Sequence, residues 1–249
     1  MLARGKHFLS LGFYSIAKSD NLLSLLVMVY KESDSLSMKN IFAPTASRVI
    51  RCFLCEPERE WTILELSKVS GVSYGHAHKL VKTLIKLGFC REISRARIVV
   101  ANPTELLSRW ASYYDFSLQN EVIAYYSLDT NLDDFVKRLS ALGSQDLRYA
   151  LTLHAGATLV APYVRPANVH LYVESEKLSE WEKLLGLQLT ELGGNVFLVK
   201  PYDEGVFYKV QEVKRTKVVS SVQLYVDLYN YSARGREAAE HLRKEVIGF

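Results

Sequence analysis

Apolar residues between positions 45 and 102 fall into three helical stripes followed by two short strand-like runs, and this order leaves few folds open. Ala46, Val49, Ile50, Phe53 and Leu54 recur at the spacing of one helix face, with Thr45 after Pro44 as the expected cap and Glu56-Pro57 as the stop. Ile63 to Val69 makes a second, short helix capped by Thr62. Gly71 follows where a tight turn between helices needs a positive φ. Ser73 is placed to cap a third helix running to about Leu87, with Ala77, Leu80, Val81 and Leu84 inward and Gly88 beyond its end. Phe89–Ile93 and Arg97–Val100 then read as a β-hairpin around Ser94-Arg95-Ala96, and Asn102-Pro103 closes the unit. Three helices, a glycine turn and a hairpin, in that order, read as a winged helix-turn-helix.

Charge is distributed to match. The chain carries a net +4, yet residues 45–102 hold ten Lys/Arg against five Asp/Glu, while residues 103–249 hold sixteen against nineteen. From Lys68 to Arg97 there are seven basic residues and a single acid, Glu92. A solvated lysine face normally carries interspersed glutamates; a basic segment on a mildly acidic protein is the footprint of a polyanion site. The third helix opens with small or hydrogen-bonding side chains, Ser73, Tyr74 and His76, and gains Lys79 and Lys82 further along. That order suits a helix whose first turn enters the major groove while the lysines meet the flanking backbone. Arg91, Arg95 and Arg97 on the hairpin are placed to reach a neighbouring minor groove or phosphate. The expected ligand is double-stranded DNA, because the deep, narrow A-form groove of RNA excludes such a helix. A winged helix used only for protein–protein contact stays open as an alternative.

Residues 1–44 form an N-terminal extension in which Leu22–Tyr30 could be a short helix. Leu106, Leu107, Trp110, Ala111 and Tyr114 mark a linking helix over 103–115. Beyond it, helices are expected around Phe135–Leu139, Leu178–Leu185, Val222–Tyr229 and Arg236–Val246. Strands are expected at Tyr149–Leu153, Val169–Val173, Val206–Val210 and Lys217–Val219, and a hairpin joins Leu187–Leu192 to Val196–Val199 through Gly193-Gly194-Asn195. The reading is α+β: a winged helix-turn-helix over 45–102, then a mixed α+β domain over 103–249 with an antiparallel tendency.

Signals for other chemistry are weak. Cys52 and Cys55 match C-x-x-C, but inside an amphipathic helix, and His76 and His78 lack the spacing of a zinc finger, so no metal or cofactor is expected. No phosphate-loop, dinucleotide, zincin or nucleophile-elbow motif occurs. Gly143-Ser144 followed by Asp146 resembles the entry of a nucleotidyltransferase, which also needs paired carboxylates on the next strand; Tyr149–Leu153 has none. An enzyme of that type, targeted by the winged helix, is the alternative from another class. Arg234-Gly235-Arg236 is expected to be solvated or to pair with Glu237 or Glu240. No apolar run approaches the roughly 20 residues of a membrane span, and three unframed cysteines favour a reducing, cytoplasmic setting.

Several stretches in order resemble the AbiEi family, antitoxins and transcriptional regulators of type IV toxin–antitoxin systems. The most specific are Gln223 to Leu228 and Arg234 to Glu240, then Tyr149-Ala150-Leu151-Thr152 to Ala161-Pro162; the likeness spans roughly residues 45–249. It implies a winged helix that binds promoter inverted repeats and represses its own operon, an arrangement that a dimer on DNA would suit. It also implies a C-terminal domain that counters a nucleotidyltransferase-like toxin without necessarily touching it, and no catalytic activity.

Overall fold

Pro44 begins the first helix, α1 (Pro44–Cys55), because its fixed φ and missing N–H suit the first helical position. Thr45, expected as the cap, therefore lies inside the helix, and Ala43 caps it with no side-chain bond. The computed structural model describes residues 41–129, 131–142, 147–232 and 234–249. The expected helix at Leu22–Tyr30 and the Gly143–Asp146 motif lie outside the described residues.

Helix α2 (Ile63–Ser70) starts with a reciprocal capping box between Thr62 and Glu65, and Gly71 ends it at φ 66°. Ser73 accepts the His76 N–H at the start of α3 (Tyr74–Lys86), and Ala77, Leu80, Val81 and Leu84 are buried as the spacing requires. Strands β1 (Cys90–Ser94) and β2 (Arg97–Val100) pair antiparallel, and Trp61 bridges to Ile98 on the other side of β2. This element order is compatible with a winged helix-turn-helix.

The remainder is built on a mixed seven-stranded sheet ordered β6-β3-β7-β5-β4-β9-β8. Its strands are β3 (Glu121–Tyr126), β4 (Tyr149–Thr152), β5 (Val169–Val173), β6 (Gln188–Leu189), β7 (Val196–Lys200), β8 (Gln211–Val213) and β9 (Thr216–Val218). The β5–β7 and β4–β9 pairs are parallel, so the antiparallel tendency holds only in part. The helices of this part are α4 (Pro103–Tyr113) and α5 (Phe116–Gln119) before the sheet, α6 (Leu132–Ala141), α7 (Leu153–Val160) and α8 (Leu178–Leu184) between its strands, and α9 (Ser221–Tyr229) and α10 (Gly235–Leu242) after it. Tyr125 donates to Glu182 of α8 and Tyr149 packs edge-on to Trp181, so α8 covers one face of the sheet. On the other face Thr152, His170 and Phe197 stand in register across β4, β5 and β7, and Thr152 donates to Asp227 of α9.

Three expectations of local structure are corrected. Leu187–Leu192 and Val196–Val199 do not form a hairpin: β6 and β7 pair with opposite edges of β3, a strand that local patterning does not announce. The glycines there allow close backbone approach instead, since a Cβ on Gly194 would lie 3.0 Å from the Tyr125 carbonyl oxygen. Val206–Val210 is not a strand; Asp203 accepts the Gly205 N–H and winds Glu204–Phe207 into a 3-10 turn. The last helix stops at Leu242 and loosens into a π turn over Arg243–Ile247.

Residues 41–249 pack as one compact unit, and the join between α1 and the sheet part is polar, with Arg51, Gln223 and Asp227 fully buried at its centre. Arg51 of α1 donates to Gln223 of α9 at 2.8 Å, to Tyr202 at 2.5 Å and to Ser47 at 2.6 Å, with its guanidinium 4.8 Å from the Trp110 ring centroid. Gln223 donates on to Asp227 at 2.7 Å, and Thr152 and Tyr172 donate to the same carboxylate. One turn earlier, Arg48 grips Asp203 through both carboxylate oxygens. Burial opposes the charge on Arg51, but Tyr202 and Asp203 outweigh it and hold its pKa above the ordinary value.

Burial pushes the Asp227 carboxyl up to about 6, against the hydrogen bonds of Thr152, Gln223 and Tyr114 and the charge of Arg51. A carboxyl whose pKa rises on folding stabilises fully below the unfolded value, near pH 4, and that contribution is lost as pH rises through about 6. Denaturant titrations from about pH 4 to 7 should therefore show Asp227→Asn gaining on the wild type, by on the order of 3 kcal/mol at full ionisation. A constant difference across this window would show that Asp227 does not titrate there. At Gly235 a Cβ would lie 2.4 Å from the Leu228 carbonyl oxygen. Gly235→Ala should lower the urea midpoint, at unchanged m-value, by the equivalent of about 1–3 kcal/mol.

Candidate nucleic-acid interface

Around a helix of 3.6 residues per turn, Gly75, Lys79, Lys82 and Lys86 fall within about 60° of one another, opposite the stripe that α3 buries. Gly75 has open space around its Cα, so nothing on this line crowds an approaching surface near the first turn. Lys79, Lys82 and Lys86 are exposed, and no ion pair forms to any of them among the described residues. Lys86 belongs to this line as firmly as the two lysines singled out from sequence.

The leading turn is arranged differently. Ser73 spends its hydroxyl on the helix cap. Tyr74 is 54% exposed and stacks on His78, with ring centroids 6.2 Å apart. Helical geometry sets Tyr74 and His76 on opposite flanks of the lysine line rather than side by side. Both are exposed, one on each side of any groove that the helix enters.

On the hairpin, Arg91 lies opposite Val99, and Arg95 sits in the connection whose next residue, Ala96, has φ 65°. Both arginines are exposed and draw no acid among the described residues. Arg97 differs: it pairs with Glu65 at 3.6 Å, tying the hairpin to the start of α2. The Thr62 backbone N–H, then its hydroxyl, hold the Glu65 carboxyl below its ordinary pKa, with Arg97 and Arg59 adding to this. Arg59 in turn lies over the Trp61 ring and pairs with Glu56.

Cys52, Cys90, His154 and His170 are buried. Burial pushes the Cys52 thiol up to about 12 and that of Cys55 up to about 11, away from the thiolate that metal binding or redox chemistry needs. Among the described residues no three His, Cys, Asp or Glu side chains converge on a metal-sized site. His154 packs edge-on to Tyr231, and burial lowers the neighbouring His170 to about 4. The strand-to-helix turn after β4 is strained, with φ 50° at Leu153, but the residue it carries is a fully buried leucine and not a nucleophile. Arg234 pairs with Glu237 at 2.6 Å, as expected of a surface arginine.

With this geometry in place, the comparison with known families decides the assignment. A family model described as "Transcriptional regulator, AbiEi antitoxin, Type IV TA system" matches residues 97–248. The chain belongs to the AbiEi family. The match takes in β2, the sheet and the last helices, including Gln223, Asp227 and Gly235; of the candidate interface it covers only Arg97. It is narrower than the resemblance from residue 45 onward. No curated protein and no solved structure matches the chain. No helix among the described residues is long and apolar enough to cross a membrane.

If Glu65 both caps α2 and restrains Arg97, Glu65→Ala should lower stability by about 1 kcal/mol. Glu65→Gln, which preserves reach but not charge, should lose less. Equal losses in thermal or urea melts would assign the whole effect to charge.

Proposed function

We propose that this AbiEi-family protein is a DNA-binding repressor and antitoxin, with residues 45–102 holding the duplex and residues 103–249 supplying the antitoxin and regulatory function. The observation that carries the reading is the unneutralised line Lys79, Lys82 and Lys86 opposite the buried stripe of α3, with Arg91 and Arg95 exposed on the hairpin that follows. Cations kept free of acids, on a helix that otherwise only packs, suit a phosphate backbone. The ligand is double-stranded DNA at inverted repeats in the protein's own promoter, bound by a dimer, so that the operon is autorepressed in the cytoplasm. The toxin it counters is of nucleotidyltransferase type and need not be bound. The protein itself acts without catalysis or cofactor: its buried polar centre is spent on joining α1 to α9, and its strained turn carries Leu153.

Within this reading the interface residues divide by role. Lys79 and Lys82 neutralise phosphates, with Arg91, Arg95 and Arg97 on the hairpin side. Tyr74 and His76 meet base edges, and Ser73 holds the first turn in shape. Titrations over a range of salt, on promoter and random duplexes, test the division. Lys79→Ala and Lys82→Ala should each weaken binding to both duplexes and flatten the slope of log affinity against log salt by about one unit. Tyr74→Ala and His76→Ala should each narrow the gap between promoter and random DNA, by about 1–3 kcal/mol where the native side chain bonds well to a base edge. Unchanged slopes together with intact specificity would take α3 off the DNA.

A further inference from the structure

Between Lys68 and Arg97 the chain carries seven basic residues and one acid, Glu92. A lone carboxylate among cations ordinarily pairs with one of them, and Arg91, Arg95 and Arg97 all lie close to it along the chain. Glu92 forms no ion pair among the described residues, and Arg97 turns to Glu65 instead. The Glu92 Oε1 accepts the backbone N–H of Ala96 at 3.2 Å, across the tip of the first hairpin.

That N–H lies at the strained point of the turn. Glu92 pairs with Ile98 and Ser94 with Arg97, which leaves Ile93 as the extra residue of a β-bulge. A bulge bends its strand and re-aims the side chains beyond it. Arg95 and Ala96 then close the turn, with Ala96 at φ 65°. Left-handed backbone is easy for glycine and strained for alanine. The Glu92 carboxylate offsets that strain by holding the Ala96 amide, and it does so without pairing with the Arg95 guanidinium, which stays exposed. An acid whose charge opposes polyanion binding thus sits where its oxygen shapes the turn.

We propose that Glu92 is the positioning residue of this hairpin: by holding the Ala96 N–H it fixes the bulged tip so that Arg95 stands out toward the phosphates of the bound duplex. The inference rests on the DNA-binding reading above and gives the one acid of the basic segment a role opposite in sign to its charge. A tip set before the duplex arrives lets Arg95 engage it with little ordering cost.

Charge and position predict opposite outcomes. Removing an acid from a basic surface strengthens its attraction for a polyanion, whereas loosening the tip weakens the Arg95 contact. The full chain is titrated over a range of salt with a random-sequence duplex of about two helical turns. Arg95→Ala should weaken binding by about tenfold and flatten the slope of log affinity against log salt by about one unit. Glu92→Ala should lose part of the same contact, weakening binding by about threefold and flattening the slope in the same direction. Glu92→Gln keeps an acceptor for the Ala96 N–H and drops the charge, so it should bind at least as tightly as the wild type. On an Arg95→Ala background, Glu92→Ala should cause no further weakening.

Glu92→Ala binding as tightly as the wild type or tighter, with Lys79→Ala and Lys82→Ala still flattening their slopes, would overturn the positioning role and leave the DNA reading intact. A Glu92→Gln variant as weak as Glu92→Ala would do the same, since the acceptor would then not be what matters. Weakening that persists on the Arg95→Ala background would place the effect in the fold of the hairpin and overturn the role as well. No salt-dependent binding by the wild type would overturn both readings.

Discussion

Arg51 is the charge on which the join between the helical and sheet parts depends. A guanidinium with no exposed surface costs several kcal/mol unless its donors are satisfied. Here Gln223, Tyr202 and Ser47 accept from it and Trp110 lies against its face. These partners come from widely separated stretches of chain, so the arrangement exists only when α1, α4 and α9 are assembled together. Asp227 lies one hydrogen bond further on and binds Thr152 and Tyr172 from the sheet. The pair is connected through a neutral amide rather than by direct contact, which leaves the carboxyl high enough to titrate near pH 6.

Such a network contributes more to uniqueness than to net stability. Apolar residues of similar volume would pack with less desolvation, but they would not fix the rotation of α1 against α9. Arg48 on Asp203 supplies a second fixed point on the same helix. Close backbone approaches at Gly156 and Gly235 keep the surrounding elements at one separation, and Gly205 leaves room for the Arg48, Arg51 and Asp203 side chains. The consequence is mechanical: α3 and the first hairpin are held in a set orientation to the sheet.

The exposed side follows the opposite rule. At the buried join Arg51 and Arg48 have their acceptors, while along α3 and at both hairpin tips the cations are left without acids among the described residues. Selection for stability alone would intersperse glutamates there, as it has at Glu237 beside Arg234. Interior charge is thus satisfied, while surface cations along α3 and at the hairpin turns are left without acids among the described residues.

Local signals serve well from residue 45 to residue 102. Period-3.6 stripes, the Thr62 and Ser73 caps and the Gly71 turn act over a few residues each, so the three helices, the hairpin and the exposed lysines were legible in sequence. The Gln223–Asp227 spacing, one helical turn apart in an apolar run, was a visible anomaly whose meaning was not. Strand β3 is hidden because Glu-Val-Ile-Ala-Tyr-Tyr alternates poorly, and its neighbours β6 and β7 look like partners of each other because they follow in sequence. The Lys214-Arg215 turn between β8 and β9 was invisible, since no local rule places two long cations at positive φ. Sequence by itself determined where helices begin, which of their faces are apolar and where charge accumulates, because those depend on neighbours three or four residues away. Only tertiary structure decided strand order and the burial of Arg51 and Asp227, because each requires partners scores of residues apart to be in place at once.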